Sequence, residues 1–348
     1  MKRPDGLIAV LVRLGLGRLL DRLRGESRLT VLAYHRVAPW QDPGFNSFKP
    51  VVSATPAVFE QQMALVASSF SVVSLDALGR FISGEADLPP RALLITFDDG
   101  YLDNYRNAFP VLRRHGIPAA VFLLTGAIDR GTLPWWEACA RAFGSTAIRR
   151  ADLPLLGERD LSTPAARDGA LGLLVARLKR LPEEEKRERL GQLAEALGVP
   201  PAAADPGLFM SWEQVREMTA AGITFQPHTV THPILARVDR VAALREIEES
   251  GRRVAAETGA PLRAFAYPNG QPGDYDAVTV DLLRSLGYAM AFTLSPGPLR
   301  YRAVREHPFE IPRVYIGRRD SMDTFVLKVM GVPALVARRR FVAERGSP

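Results

Sequence analysis

The segment RALLITFDDG, residues 91–100, constrains the fold more than any other stretch of this chain. Leu93, Leu94 and Ile95 run without a break into Thr96, Phe97 and two adjacent carboxylates, Asp98 and Asp99, closed by Gly100. An unbroken apolar run of this length suits a strand buried on both faces, which requires a parallel sheet covered by helices. The carboxylates then stand at the carboxyl end of the strand, where α/β folds gather ligands and catalytic groups. From Leu29 onward other apolar runs repeat the pattern. LTVLAYHRV reads as a strand, TPAVFEQQMALVASSF as a helix opened by Thr55 and Pro56, NAFPVLRRHG as a helix ended by Gly116, and PAAVFLLTGAI as a further strand. Strand and helix in regular succession predict parallel βαβ units wound into a closed or nearly closed (β/α) barrel. Over residues 135–205 the strand signal is lost and Ala, Leu, Arg and Glu dominate, which predicts a helical insertion over the barrel mouth, or a small cap. The alternation resumes in GITFQPHTVTHP, LRAFAYPNG, GYAMAFTLSPG and FEIPRVYI.

A chain of 348 residues that is 47% hydrophobic is long enough for one large α/β domain or two ordinary ones. The single cysteine, Cys139, forms no internal disulfide and reads as a packed thiol on an amphipathic helix. The net charge of +7 is mostly arginine and is concentrated at the ends. Residues 1–28 read as a basic amphipathic helix with Leu7, Leu11, Leu14 and Leu19 on its apolar face, interrupted by Arg13 and Arg18. It is too short and too charged to span a bilayer, lacks a small-residue cleavage site, and has the pattern of a helix lying on an anionic membrane surface. Residues 321–348 repeat the theme with Arg338, Arg339 and Arg340. The plainer alternative is that both ends dock on the domain between them, residues 29–320. Nucleic acid is not an expected partner, because the basic residues are not interleaved with stacking aromatics. The expected location is the cytoplasm, or the inner membrane face through the basic ends.

Two histidines, His228 and His232, stand four apart after another apolar run. On a helical turn that spacing would bring both imidazoles to one face. With a carboxylate oxygen from Asp99 they make a three-donor set that leaves a position open, the pattern of a catalytic zinc site and not of a closed structural one. Asp98 is poorly placed to be a second ligand, since neighbouring side chains at a strand end diverge, and is better suited to take a proton from water as a general base. Gly100 lets the backbone turn at once without crowding the pocket. Taken singly, an Asp-Asp pair is usually a turn or helix cap, and a His-x-x-x-His a surface or core feature. Their joint appearance, each ending a predicted parallel strand, favours chemistry.

TFDDG, Thr96 to Gly100, and HTVTH, His228 to His232, resemble the first two motifs of the NodB-like polysaccharide deacetylases, carbohydrate esterase family four. The resemblance covers the chain from Leu29 to Tyr315 except the insertion. It implies a distorted barrel of about seven strands, a divalent metal on Asp99, His228 and His232, and Asp98 as the base that removes acetyl groups from N-acetylated sugars. Zn2+ is the expected ion, with Co2+, Ni2+ or Mn2+ suited to the same donors. The third motif is altered: FAYPNG puts Ala266 where the family has arginine and Asn269 where it has tyrosine. Arg313 in IPRVYI is the candidate for the vacated task of steadying the catalytic aspartate. The backbone N–H near Asn269 remains an oxyanion donor by position. The family's final Leu-x-x-His is absent. His35, which ends the first strand in a Tyr-His pair resembling the exopolysaccharide deacetylase branch, is the candidate to replace it as acid or to contact substrate. His307 lies at the wrong end of its strand, and His115 sits at a helix C-terminus, where an imidazolium needs no functional reason.

The expectation is a metal-dependent N-deacetylase acting on N-acetylhexosamine in a bacterial exopolysaccharide or its lipid-linked precursor, with Trp135, Trp136 and Tyr267 available to stack on sugar rings. Two other readings stay open: hydrolysis of a non-sugar amide or cyclic imide on the same fold, and a weakly active carbohydrate-binding or assembly protein.

Overall fold

The computed structural model describes residues 27–331 apart from 43, 202 and 203. The basic segments over residues 1–26 and 332–348, which carry the membrane-surface expectation, lie outside the described residues. In chain order the framework is β1 (Arg28–Tyr34), α1 (Pro56–Ser69), β2 (Ser71–Val72), α2 (Leu75–Ser83), β3 (Ala92–Asp99), α3 (Phe109–His115) and β4 (Ala119–Leu123). The insertion supplies α4 (Trp135–Ser145), α5 (Pro164–Leu178) and α6 (Glu183–Ala196). The framework resumes with α7 (Trp212–Ala220), β5 (Thr224–Pro227), α8 (Arg240–Thr258), β6 (Ala264–Ala266), α9 (Ala277–Ser285), β7 (Met290–Phe292), β8 (Val314–Tyr315) and α10 (Met322–Val329).

The helices begin where side chains can replace missing backbone partners. Thr55 caps α1 by accepting from the Val58 N–H, with Pro56 opening the first turn, and Ser74 caps α2 by accepting from Ala77. Gly116 ends α3 in the left-handed conformation.

Strands β5, β4, β3, β1 and β8 pair in that order, all parallel, with β2 added along the start of β3. Strands β6 and β7 form a parallel pair of their own, and a bridge from Phe292 to Ile311 leads from β7 towards β8. The arrangement is a distorted α/β barrel of β1, β3, β4, β5, β6, β7 and β8. Among the described residues β7 reaches the β8 side only through that bridge, and one seam has no backbone pairing at all. Between β5 and β6 the buried side chain of Gln226 takes its place: Oε1 accepts from the N–H groups of Arg263 and Ala264 at 2.8 and 2.9 Å, and Nε2 donates to the Pro261 carbonyl at 3.2 Å. A side-chain amide has the same donor and acceptor as a peptide group, so it satisfies backbone groups that the strand spacing would leave unpaired.

Alternation along β3 separates two cores. Leu94 faces the barrel interior with Val31, Ala120, Phe122, Phe292 and Ile311. Leu93, Ile95 and Phe97 face the helices, where Phe59 and Met63 of α1, Leu112 of α3 and Phe325 of α10 cover them. A third cluster, built around Phe143, Leu161, Leu174 and Leu193, belongs to the insertion and includes the buried Cys139, whose thiol burial pushes up to about 12.

The insertion differs from the all-helical expectation. It carries an antiparallel hairpin, Arg150–Leu153 with Gly157–Asp160, turned through positive φ at Leu155 and Gly157. Its buried side chains, Ala151 and Leu153, do alternate with exposed ones. That period-two signal spans only four residues and is diluted by arginine and aspartate. Among the described residues no helix is long and apolar enough to cross a membrane.

The Gln226 seam generates a prediction. Gln226→Leu keeps the volume but strands the buried Ala264 N–H and the part-buried Arg263 N–H, and should lower the unfolding free energy by about 1–3 kcal/mol in urea titrations. A change below about 0.5 kcal/mol would mean that the seam does not depend on this amide.

Candidate active site

The alternation that places Leu94 and Thr96 inside the barrel also turns Asp98 inward. Asp99 would then face the helices with Phe97, but its backbone adopts φ +72°, and Gly100 follows at +78°. This left-handed pair swings the Asp99 carboxylate back over the barrel mouth. Glycine suits position 100, since a Cβ there would strain the backbone and lie 2.7 Å from Leu123 Cδ2, which would have to move.

Asp98 meets Arg313, which enters the interior from the residue before β8. Nη1 and Nη2 of Arg313 donate to Oδ1 and Oδ2 of Asp98 at 2.7 and 2.8 Å, and both residues are 1% exposed. The guanidinium is itself fixed by donation to Thr96 Oγ1 and the Thr293 carbonyl and lies over the Phe122 ring. Burial by itself would raise the Asp98 carboxyl, but the Arg313 charge, with the hydrogen bonds it donates, outweighs it and holds Asp98 below the usual carboxylate range.

Asp99 has the opposite environment. Its Oδ1 is buried without a hydrogen-bond partner, while burial, then the charges of Asp98 and Glu137, push its pKa well above the ordinary value. The Nε2 atoms of His228 and His232 lie 3.7 and 3.8 Å from that orphaned oxygen, and donor atoms of the three residues fall within 4.8 Å of one another. His228 donates from Nδ1 to the Ala266 carbonyl at 2.7 Å, which leaves the Nε2 lone pair free. Burial lowers the pKa of both imidazoles, so both are neutral and able to donate to a metal. Two neutral imidazoles aimed at one unpartnered carboxylate oxygen fit a first-row divalent cation, with room for further ligands.

The two histidines do not converge through a helical turn. Residues 228–232 form a loop with positive φ at Thr229 (+70°) and His232 (+64°). Thr229 Oγ1 accepts from the His232 N–H at 3.0 Å, and the Glu246 carboxylate of α8 accepts from the Val230 and Thr231 N–H groups. This Glu246 anchor carries no local sequence signal, because it lies 15 residues beyond Thr231.

His35 stands across the mouth with Nε2 3.9 Å from Asp98 Oδ2. Its backbone is held by Ser53 Oγ and by the Asn104 amide, from a π-helical turn over Asn104–Ala108. Burial, outweighing attraction to Asp98, lowers its pKa to about 4, so it rests neutral. These groups open into a cavity of about 450 Å3. Trp135 and Trp136 of α4 and Val175 of α5 line one side of it, which places the insertion over the mouth. Trp136 packs edge-on to His232 with ring centres 4.6 Å apart and donates to Tyr101, which donates to the fully buried Glu137. Asn269 lines the cavity, its amide tied to Lys179 and Asp274. Tyr267 does not line it. Its ring is buried in a core on the far side of β6, stacked on Tyr275, with its hydroxyl donating to the Phe309 carbonyl. The strand alternation that turns Ala266 and Tyr267 to opposite faces is the reason, and a sugar-stacking role for Tyr267 is withdrawn. His307 follows the short helix Tyr301–Glu306, away from these groups. The positions that sequence reasoning passed over are Thr96, Glu137, Lys179 and Gln226; of these Gln226, a polar residue inside an apolar run, had a readable signal.

The polysaccharide deacetylase family model matches residues 85–291, more than half of the chain. The poly-beta-1,6-N-acetyl-D-glucosamine N-deacetylase of Escherichia coli K12 is 26% identical over 282 residues, 80% of this chain and 35% of that protein, so the chain spans about a third of that relative's length. Among solved structures, Streptococcus pyogenes deacetylase PplD superposes with a TM-score of 0.56 at 18% identity, covering 87% of this chain and 98% of that one. IcaB from Ammonifex degensii gives 0.55 at 21% identity, covering 87% and 97%. The matched segment holds Asp98, Asp99, His228 and His232, whereas His35 and Arg313 lie outside it. With the family model covering most of the barrel and both clusters of donor residues, the chain belongs to the polysaccharide deacetylase family.

Proposed function

We propose that this protein is a divalent-metal-dependent N-deacetylase of N-acetylhexosamine units in a bacterial polysaccharide or its lipid-linked precursor. The observation that carries this reading is the separation of two adjacent buried carboxylates into one bonded to Arg313 and one aimed, unpartnered, at two neutral imidazoles. Asp99, His228 and His232 would hold the metal, Zn2+ first among the ions that suit them. The ion supplies Lewis-acid polarisation of the acetamide carbonyl.

The remaining work falls to the chain. Asp98, kept ionised by Arg313, takes a proton from the attacking water. Arg313 fixes both carboxylate oxygens, so the base does not rotate away or protonate prematurely. His35, neutral at rest and 3.9 Å from Asp98, would pass that proton to the departing nitrogen. Asn269 lines the cavity and its backbone N–H would serve as the oxyanion donor, and the tryptophans of α4 would wall the cavity against water. Acetate and a free amine are the products.

Zinc-loaded protein should release acetate from short β-1,6-linked N-acetylglucosamine oligomers, lose the activity on chelation and regain it on metal readdition. Asp98→Asn should reduce the rate by about 10²–10⁴-fold. Release that is indifferent to chelator or to Asp98→Asn would sink the proposal. Arg313→Met leaves the Asp98 charge buried and unpaired, and should cost about 3–5 kcal/mol of stability together with activity. Adding Asp98→Leu to Arg313→Met should restore most of the stability and none of the activity, as read by urea unfolding and acetate assay.

A further inference from the structure

Helix α5 of the insertion leans Val175 and Ala176 over the cavity and ends by delivering Lys179 to its rim. The Lys179 ammonium donates to Asn269 Oδ1 at 3.0 Å, a neutral partner. The nearby carboxylate, Asp274, is served by other groups: it accepts from the Asn269 amide and the Gln271 N–H, and Arg237 Nη2 stands 3.8 Å from it. Arg237 also donates to the Lys179 carbonyl, which fixes the backbone from which the ammonium projects.

The cavity's own carboxylates have nearer groups to serve them. Asp98 is bonded bidentately to Arg313, and Asp99 faces the two imidazoles. With a divalent cation held by Asp99, His228 and His232, Lys179 adds a positive charge beyond those that Asp98 and Asp99 require, at the edge of a wall that is otherwise mostly apolar: Trp135, Val175, Ile234 and Leu294. The charge is felt at Asp99, His35 and His232, which places it within the same electrostatic space as the chemistry. A neutral glycan gains little from a lone cation beside an apolar wall, whereas an anionic group gains a charge-assisted bond to an ammonium held at the rim.

We infer that Lys179 is a specificity-determining residue, contributed by the insertion, that selects an N-acetylated sugar carrying an anionic group, a phosphate or a carboxylate. The inference rests on the deacetylase reading for the N-acetyl group but not for the anion contact. A bound anion would take the place of Asn269 as the partner of the ammonium, and the amide would keep its bond to Asp274.

Calorimetric titration of the zinc-loaded full-length chain with N-acetylglucosamine, N-acetylglucosamine 1-phosphate and N-acetylglucosaminuronic acid tests this, with acetate followed in the same cell. One or both anionic sugars should bind at least about tenfold more tightly than the neutral one, and which of them does so identifies the anion. Lys179→Met should bring the three within about threefold of one another, Lys179→Arg should keep the preference, and the preference should survive chelation. Equal binding of all three by the parent, a preference that persists in Lys179→Met, or one that vanishes with the metal would each overturn the assignment. Absence of acetate from every sugar would count against the deacetylase reading and leave the binding ratio readable.

Discussion

The Asp98–Arg313 pair is the interaction on which the rest of the site depends. Two carboxylates on consecutive residues, both 1% exposed, repel each other and lose hydration, an expense that a barrel interior meets only if each has its own cation. Arg313 supplies the first with a planar fork that matches both oxygens of Asp98. Because the fork comes from the edge of β8 and Asp98 from the end of β3, the bond spans the interior and fixes the relative position of strands that are not neighbours. Asp99 is left with an orphaned oxygen and a raised pKa, so its environment calls for a second cation at the point where the two imidazoles converge.

The barrel around the pair is built to hold that convergence. Gln226 on β5 and His228 just past its end, two residues apart, face the same way, and both reach β6: the amide closes the seam at the start of β6, and the imidazole bonds the Ala266 carbonyl at the mouth. The frame that completes the barrel thus also sets the tautomer of His228. Positive φ at Asp99, Thr229 and His232 is tolerated because Glu246, Thr229 and the segment returning from the insertion tie the loops down, with Met210 donating to the Gly100 carbonyl. On the other side Glu137, Tyr101 and Trp136 carry the insertion's packing up to the ring of His232.

Much of this was legible in the sequence where local pattern and long-range structure agree. The unbroken run before Asp98 reads as a two-sided strand, and it is one; Thr55, Pro56 and Gly116 mark helix ends through local bonds that need no tertiary knowledge. The pairing of Arg313 with Asp98 followed from the family resemblance, whose third motif lacks its arginine here, together with the place of Arg313 beside a late strand. What stayed hidden is set by distance or by strain. A helical turn was the natural reading of His228 and His232, yet their approach depends on left-handed residues and on Glu246 from a different helix. Tyr267 looked available because position in a motif does not reveal which face of β6 a side chain takes. The hairpin inside the insertion was masked because two buried residues in four give too little period to see.

The claim that the adjacent carboxylates have different cations is tested most directly by zinc affinity, measured by competition with a chromophoric chelator for the parent, Asp98→Asn and Asp99→Asn. The account predicts one equivalent bound by the parent, affinity within a few fold of it for Asp98→Asn, and a loss of about 100-fold or more for Asp99→Asn. Equal loss in both variants, or retention of tight binding by Asp99→Asn, would contradict it.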